Sequence, residues 1–185
     1  MPLTGLYNVS NALAAIAVAR LLGLPPAAVV QGVGRVQPAF GRQEVIEYEG
    51  RPLRLMLCKN PAGANEVLRL LASIQLPGEG LNVAALLSDQ FADGQDVSWI
   101  WDVDYELLGT HVVACWCGGT RAEDIALRLK YAGWLTPNVV AHDVSVLLRD
   151  IVASTETGSD VYVIATYTAM RDLRHALGRN VRDEG

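Results

Sequence analysis

A mostly parallel, doubly wound α/β sheet flanked by helices, preceded by a helical segment, is the fold class this sequence predicts, on three observations. Beyond Gly41, short apolar runs alternate with stretches of helical spacing, turns rich in Gly and Asn separate them, and the charged and aromatic residues collect in the loops that follow the apolar runs. Taken in order, 7–24 places Ala and Leu at helical spacing and stops at Gly23 before Pro25 and Pro26, which predicts an amphipathic helix. Residues 25–36 predict a shorter helix opening at the prolines. Residues 44–50 and 51–58 predict two strands joined by a Gly-containing turn, and 63–74 a helix. A strand at 81–89, a strand at 111–118, a helix at 120–133 ending on Gly133, a short strand and then a helix within 139–155, and a strand at 160–166 follow. "TYTAM" (166–170) reads as a loop after that strand and "RNVRDEG" (179–185) as a frayed end. The expected organisation is a helical segment over 1–40, an α/β domain over 41–180 and a tail over 181–185.

Composition narrows the function classes. Half the residues are hydrophobic (51%) and 19% are charged, which suits a chain of 185 residues with a filled core and argues against disorder. A net charge of −5 gives no electrostatic footprint for nucleic acid or an anionic membrane. Neither a signal peptide nor an apolar run long enough for a membrane span is present, so the expected setting is cytoplasmic.

The three cysteines, Cys58, Cys115 and Cys117, lie in apolar strand runs, where they read as buried thiols. A zinc site is the competing reading, with His111 as the one nearby candidate ligand. Burial raises a thiol pKa, which weighs against a Cys–His catalyst within this chain. His142 beside Asp143 reads as a surface pair.

Four loops carry the unusual residues. "KNPAGANE" (59–66) follows a strand and opens a helix; its N-terminus and Lys59 can face an anion, or it is a plain strand-to-helix turn with an exposed lysine. No G-x-x-x-x-G-K-[ST] occurs, so the chain has no P-loop of its own, and "GVG" (32–34) and "CGGTRAED" (117–124) lack G-x-G-x-x-G form. The second is better explained as a turn before a helix whose first turn holds Glu123 and Asp124. In "FADGQDVSWIWDVDYELL" (91–108), Asp93, Asp96, Asp102, Asp104 and Glu106 crowd beside Trp99 and Trp101 with no His, Cys or Lys. One reading packs both tryptophans in the core and uses the acids as caps, Asp96 capping a turn that starts at Val97. The other is an interface that presents a carboxylate to a partner's histidine, the third role of a catalytic triad.

These segments carry a family resemblance. "GLYNVSNALAA" is similar to the segment that closes the central ATPase domain of Mur-type ligases. "GRQE", "KNPAGANE", "SDQFADGQDVSWIWDVDYE", "GGTRAEDIALRLKYAG" and "TYTAM" resemble the C-terminal domain of the MurT family, the ligase-like subunits of lipid II isoglutaminyl synthase. The resemblance implies a Mur ligase C-terminal-domain-like fold, with 1–40 as a remnant of the central domain. It also implies a complex with a GatD-type glutaminase in which ATP activates the α-carboxylate of D-glutamate in lipid II. Ammonia released from glutamine then attacks the acyl phosphate to give D-isoglutamine. An aspartate of this domain is expected to complete the glutaminase's Cys–His dyad, Asp102 first and Asp96 second, ahead of Asp93 and Asp104. Asn8 and Asn11 are expected near the adenine, and Lys59, Asn60 and Asn65 where the domain closes over nucleotide and substrate. ATP and Mg belong to the full-length protein and zinc to a ribbon outside these residues; no metal site and no tight cofactor site are expected here, and no amidation by this segment alone. Lipid II would place the complex at the inner face of the membrane. The competing expectations are a docking module without a catalytic group and the C-terminal domain of another Mur or folylpolyglutamate ligase.

Overall fold

The computed structural model describes residues 5–37, 40–74 and 80–178; the expected tail, 181–185, lies outside them. The chain opens with two helices, α1 (Leu6–Leu21) and α2 (Pro26–Gly34). Gly23, at φ 76°, ends α1 in a left-handed turn in which its own N–H donates to the Arg20 carbonyl and that of Leu24 to Ala19. The expected amphipathicity of α1 is not found. No residue of α1 is buried, and Leu6, Leu13 and Leu21 are 62–87% exposed, because its apolar side chains are spread around the helix and only its edge meets α2 and α3.

The sheet follows. Strands β1 (Arg42–Tyr48) and β2 (Arg51–Leu57) form an antiparallel hairpin through Glu49 and Gly50, both left-handed, as a tight two-residue turn requires. Helix α3 (Pro61–Ser73) leads to β3 (Leu81–Leu86). The acidic-aromatic stretch then forms two 3-10 helices, Ser98–Asp102 and Tyr105–Leu108. After it come β4 (Val112–Gly118), α4 (Ala122–Tyr131), β5 (Val139–Ala141), α5 (Val144–Ser154), β6 (Val161–Ala165) and α6 (Tyr167–Ala176). The six strands are ordered β1-β2-β6-β3-β4-β5, all parallel except β1.

Helix α6 corrects the reading of 166–170 as a loop. Thr168, Ala169, Met170 and Leu173 share its buried face, so the segment is a helix that starts one residue after the strand.

Alternation along the strands divides the core. Val83, Ala85, Cys115, Cys117, Tyr162 and Ile164 face α3, α4 and the 3-10 helices, whereas Ala84, Leu86, Trp116, Val161 and Val163 face α5 and α6. All three thiols are buried and free. Burial pushes Cys58 up to about 12 and raises Cys117 further, with its neighbour Cys115 as the first cause, so neither is a ready nucleophile.

Candidate functional site

Five parallel strands end on the same edge, and their loops converge there. At the end of β2, Asn60 caps α3: its side-chain Oδ1 accepts the Gly63 N–H at 2.8 Å, with Pro61 at the first helical position. In front of this helix start lies a cleft of about 580 Å³, closed on the far side by α1. Asn8, Asn11, Lys59 and Asn60 all line it, together with Arg42 and Glu66. Asn65 does not: its Oδ1 accepts the Asp104 N–H at 2.8 Å and ties α3 to the acidic stretch. Gln43, a bulge residue with φ 62°, donates from Nε2 to the Tyr7 hydroxyl at 2.9 Å and anchors α1 to the sheet. The set of amides and cations at a helix N-terminus suits the polar edge of a base and the charge of a polyphosphate.

The crevice between β3 and β6 is filled by the chain itself. Thr166 starts α6, but its hydroxyl accepts the Ser88 N–H at 2.9 Å. Asp93 takes over: it is buried, and its Oδ1 accepts the Thr168 N–H at 2.7 Å. Asp93, placed behind Asp102 and Asp96 as a triad candidate, is taken up instead by a helix 75 residues away, a partner that nothing in its own neighbourhood announces. The loop after β4 passes so close that a Cβ on Gly119 (φ 92°) would meet the Leu87 carbonyl oxygen at 2.2 Å. Asp89 joins the two loops through the Thr120 hydroxyl (2.8 Å) and Arg121 (3.2 Å). These contacts, that of Thr120 first, hold its carboxyl below the usual range. Asp143 caps α5 through the Ser145 N–H at 2.8 Å, and His142 lies 2.9 Å from Glu123, which corrects the expected pairing of His142 with Asp143.

The missing cation of the acidic-aromatic stretch is Arg128 of α4, which sequence reading had passed over. Arg128 is 4% exposed. It donates to the carbonyls of Ile100 (3.2 Å) and Val103 (2.6 Å) and pairs with Glu106 at 2.9 Å. The Arg128 hydrogen bond is the first cause that holds Glu106 below its ordinary range. The rings of Trp101 and Tyr105 stand 5.5 and 5.3 Å from the guanidinium carbon. Trp99 is half-buried against the core; Trp101, however, is 51% exposed and leans on Tyr131, which overturns the expectation of two core tryptophans. An exposed-to-buried i, i+3, i+4 pattern places Arg128 on the inner face of α4, and that was its only signal in the sequence.

The acids of the stretch separate by what they touch. Asp93 is committed to Thr168, and the Asp96 Oδ1 accepts the Ser98 N–H at 2.8 Å, which is the first cause lowering its pKa. Asp104 faces Arg69 at 4.0 Å, and Glu106 is paired with Arg128. Asp102 is exposed, and its side chain makes no hydrogen bond or ion pair among the described residues. Among those residues no three His, Cys, Asp or Glu side chains assemble to hold a metal ion, and no helix is long and apolar enough to cross a membrane.

Residues 57–170 match the family described as MurT ligase C-terminal. The chain is 35% identical over 175 residues to the lipid II isoglutaminyl synthase (glutamine-hydrolyzing) subunit MurT of Streptococcus pneumoniae, covering 94% of this chain and 38% of that protein. It is 36% identical over 185 residues to the subunit of the same name from Staphylococcus aureus, covering 97% of this chain and 40% of that protein. Among solved structures, folylpolyglutamate synthase of Mycobacterium tuberculosis, complexed with ADP and AMPPCP, superposes with a TM-score of 0.68 at 21% identity, covering 97% of this chain and 42% of that one. The chain thus spans about two-fifths of the length of these relatives.

Proposed function

The chain belongs to the MurT ligase C-terminal family, and from that premise we propose that it is the C-terminal part of an ATP-dependent amidotransferase subunit that converts the D-glutamate of lipid II to D-isoglutamine. Within that protein these 185 residues dock a GatD-type glutaminase and lend it the Asp102 carboxylate. The observation that carries the choice is the commitment of the other acids: Asp93, Asp96 and Glu106 hold partners, Asp104 faces Arg69, and Asp102 is exposed and unengaged. Asp96 is second, since one of its oxygens is taken by Ser98.

At the interface, the Asp102 carboxylate accepts a hydrogen bond from the partner's imidazole, orients the ring and stabilises its protonated form. The partner's thiolate then attacks the amide carbon of glutamine, the imidazolium passes its proton to the departing nitrogen, and ammonia leaves. Water hydrolyses the resulting thioester to glutamate. Complex formation through this domain sets the glutaminase beside the ligase, at the inner face of the membrane where lipid II is presented.

On the ligase side, Asn8, Asn11, Lys59 and Asn60 face the cleft at the start of α3, and their donor set fits a nucleotide. Bound ATP supplies the phosphoryl group that activates the carboxylate. Asn8 and Asn11 sit to read the base, Lys59 to offset phosphate charge, and α1 to close the site from water. Asn65 acts at one remove, through Asp104. Mg and zinc find no set of ligands among the described residues, and no step here uses them.

The test is to combine the full-length protein with its glutaminase and measure complex formation and glutamine hydrolysis for wild type, Asp102→Asn and Asp96→Asn. We expect Asp102→Asn to bind normally and lose about a hundredfold or more in rate, as loss of a triad carboxylate does. Loss only in Asp96→Asn transfers the role to that residue. Full rates in both variants, with binding kept, reduce the domain to a docking module.

A further inference from the structure

We infer that Arg128 is a positioning residue for Asp102: its guanidinium holds the backbone on both sides of that carboxylate and fixes the direction in which it leaves the domain. The inference rests on the assignment of Asp102 made above. A guanidinium taken out of water is unfavourable unless its donors are met, and Arg128 at 4% exposure meets them almost entirely within one short stretch. Two of its bonds go to main-chain carbonyls, Ile100 and Val103, which bracket Trp101 and Asp102. A 3-10 helix ends at Asp102, and its last carbonyls have no partner inside the helix. The arginine adds a side-chain donor at two carbonyls there, that of Ile100, which also accepts the Val103 N–H at 3.4 Å, and that of Val103, which also accepts the Tyr105 N–H at 2.9 Å.

The remaining contacts lock the fork itself. Glu106 accepts from Nη2 at 3.0 Å, and its other oxygen lies 2.9 Å from Nη1 in the ion pair. Trp101 and Tyr105 lie against the guanidinium, and Trp101 in turn leans on Tyr131 with ring centroids 5.8 Å apart. From the other side, Asn65 of α3 accepts the Asp104 N–H. The peptide that carries Asp102 is therefore held by α4 and α3 while its side chain stays unengaged. A purely structural arginine has no reason to place its main-chain contacts around the one uncommitted acid of the stretch. Triad carboxylates need this kind of support, because small misplacement of the acceptor misorients the imidazole. Lysine cannot substitute, since a single ammonium on a flexible stem cannot reach two carbonyls and a carboxylate with fork geometry.

The experiment uses the full-length protein with its glutaminase and compares Arg128→Lys, Asp102→Asn, the double variant, and Trp116→Phe. Trp116 lies on the opposite face of the sheet, where its indole N–H donates to Asp150 at 2.8 Å, so its substitution loosens the domain without touching the stretch. We expect Arg128→Lys to lower kcat for glutamine hydrolysis by about tenfold or more with KM and complex affinity within about twofold. The double variant should be no slower than Asp102→Asn alone, because the arginine acts through the carboxylate. Trp116→Phe should keep its kcat. A full rate in Arg128→Lys, an equal loss in Trp116→Phe, or additive losses in the double variant overturn the positioning role while the Asp102 reading stands. A full rate in Asp102→Asn overturns that reading and this one with it. If Arg128→Lys does not yield folded complex, Glu106→Gln, which frees one side of the fork, replaces it: a loss of about threefold in kcat supports the role and an unchanged rate overturns it.

Discussion

Helices α3 and α6 both begin at the carboxyl end of a buried parallel strand, and an Asx side chain satisfies each N-terminus, but the two side chains arrive from different places. Asn60 of α3 is three residues from the N–H it accepts, whereas the Asp93 of α6 is 75 residues from its own. The local cap folds back on its own turn and leaves the space ahead of the helix as a cleft. The distant cap occupies that space with a loop. One sheet edge thus carries an open helix start that faces a cleft and a closed one that holds the acidic loop in place.

The contrast makes predictions, which unfolding of the domain by denaturant measures. Arg128→Met should cost the most, about 3 kcal/mol, because the carbonyls of Ile100 and Val103 lose a buried donor and Glu106 loses its partner. Asp93→Ala should come next, at about 2 kcal/mol, since the buried Thr168 N–H is left without an acceptor; Asp93→Asn keeps the acceptor and should cost less. Asn60→Ala should cost about 1 kcal/mol, because water can reach the exposed N–H it abandons. A larger loss at Asn60 than at Asp93 would break the distinction between the open and the closed helix start.

The smaller effects sharpen it. Asp89 has a carboxyl pKa below the ordinary 3.8, so its contribution to stability is full above that value and is lost as the pH falls through the lower folded value. Asp89→Asn should therefore flatten the acid limb of a stability–pH profile below about pH 4 and change little near neutrality. Asp102→Asn should leave stability within about 0.5 kcal/mol of wild type, because its side chain has nothing to lose. A marked destabilisation there would mean that the carboxylate serves the fold and not a partner.

Legibility in the sequence followed the range of the interaction. The hairpin, the alternation of strands and helices, the caps of α3 and α5 and the end of α1 all rest on residues within a few positions of one another. The hairpin, the alternation and the end of α1 were read directly, whereas the caps, equally local, were passed over. The cleft was half legible: Asn8, Asn11, Lys59 and Asn60 were named from resemblance, and their convergence needs α1 folded back through Tyr7 and Gln43. Helix α6 was missed because Thr, Tyr and Arg obscure its buried face, which is plain once Met170 and Leu173 are seen against the sheet.

What the sequence determined by itself is the α/β class, the order of its strands and of its helices as far as α5, the burial of its cysteines and the concentration of unusual chemistry in the loops after the strands. These follow from periodicity and from turn and cap residues, which act locally and leave a local trace. Only the tertiary structure decided which acid is uncommitted, which arginine answers the acids and which helix start stays open. Arg128 meets Glu106 across 22 residues, and Asp93 meets Thr168 across 75. A buried charge or N–H takes whatever partner the packed chain brings within hydrogen-bonding distance, and that proximity is a property of the fold, not of the spacing along the chain.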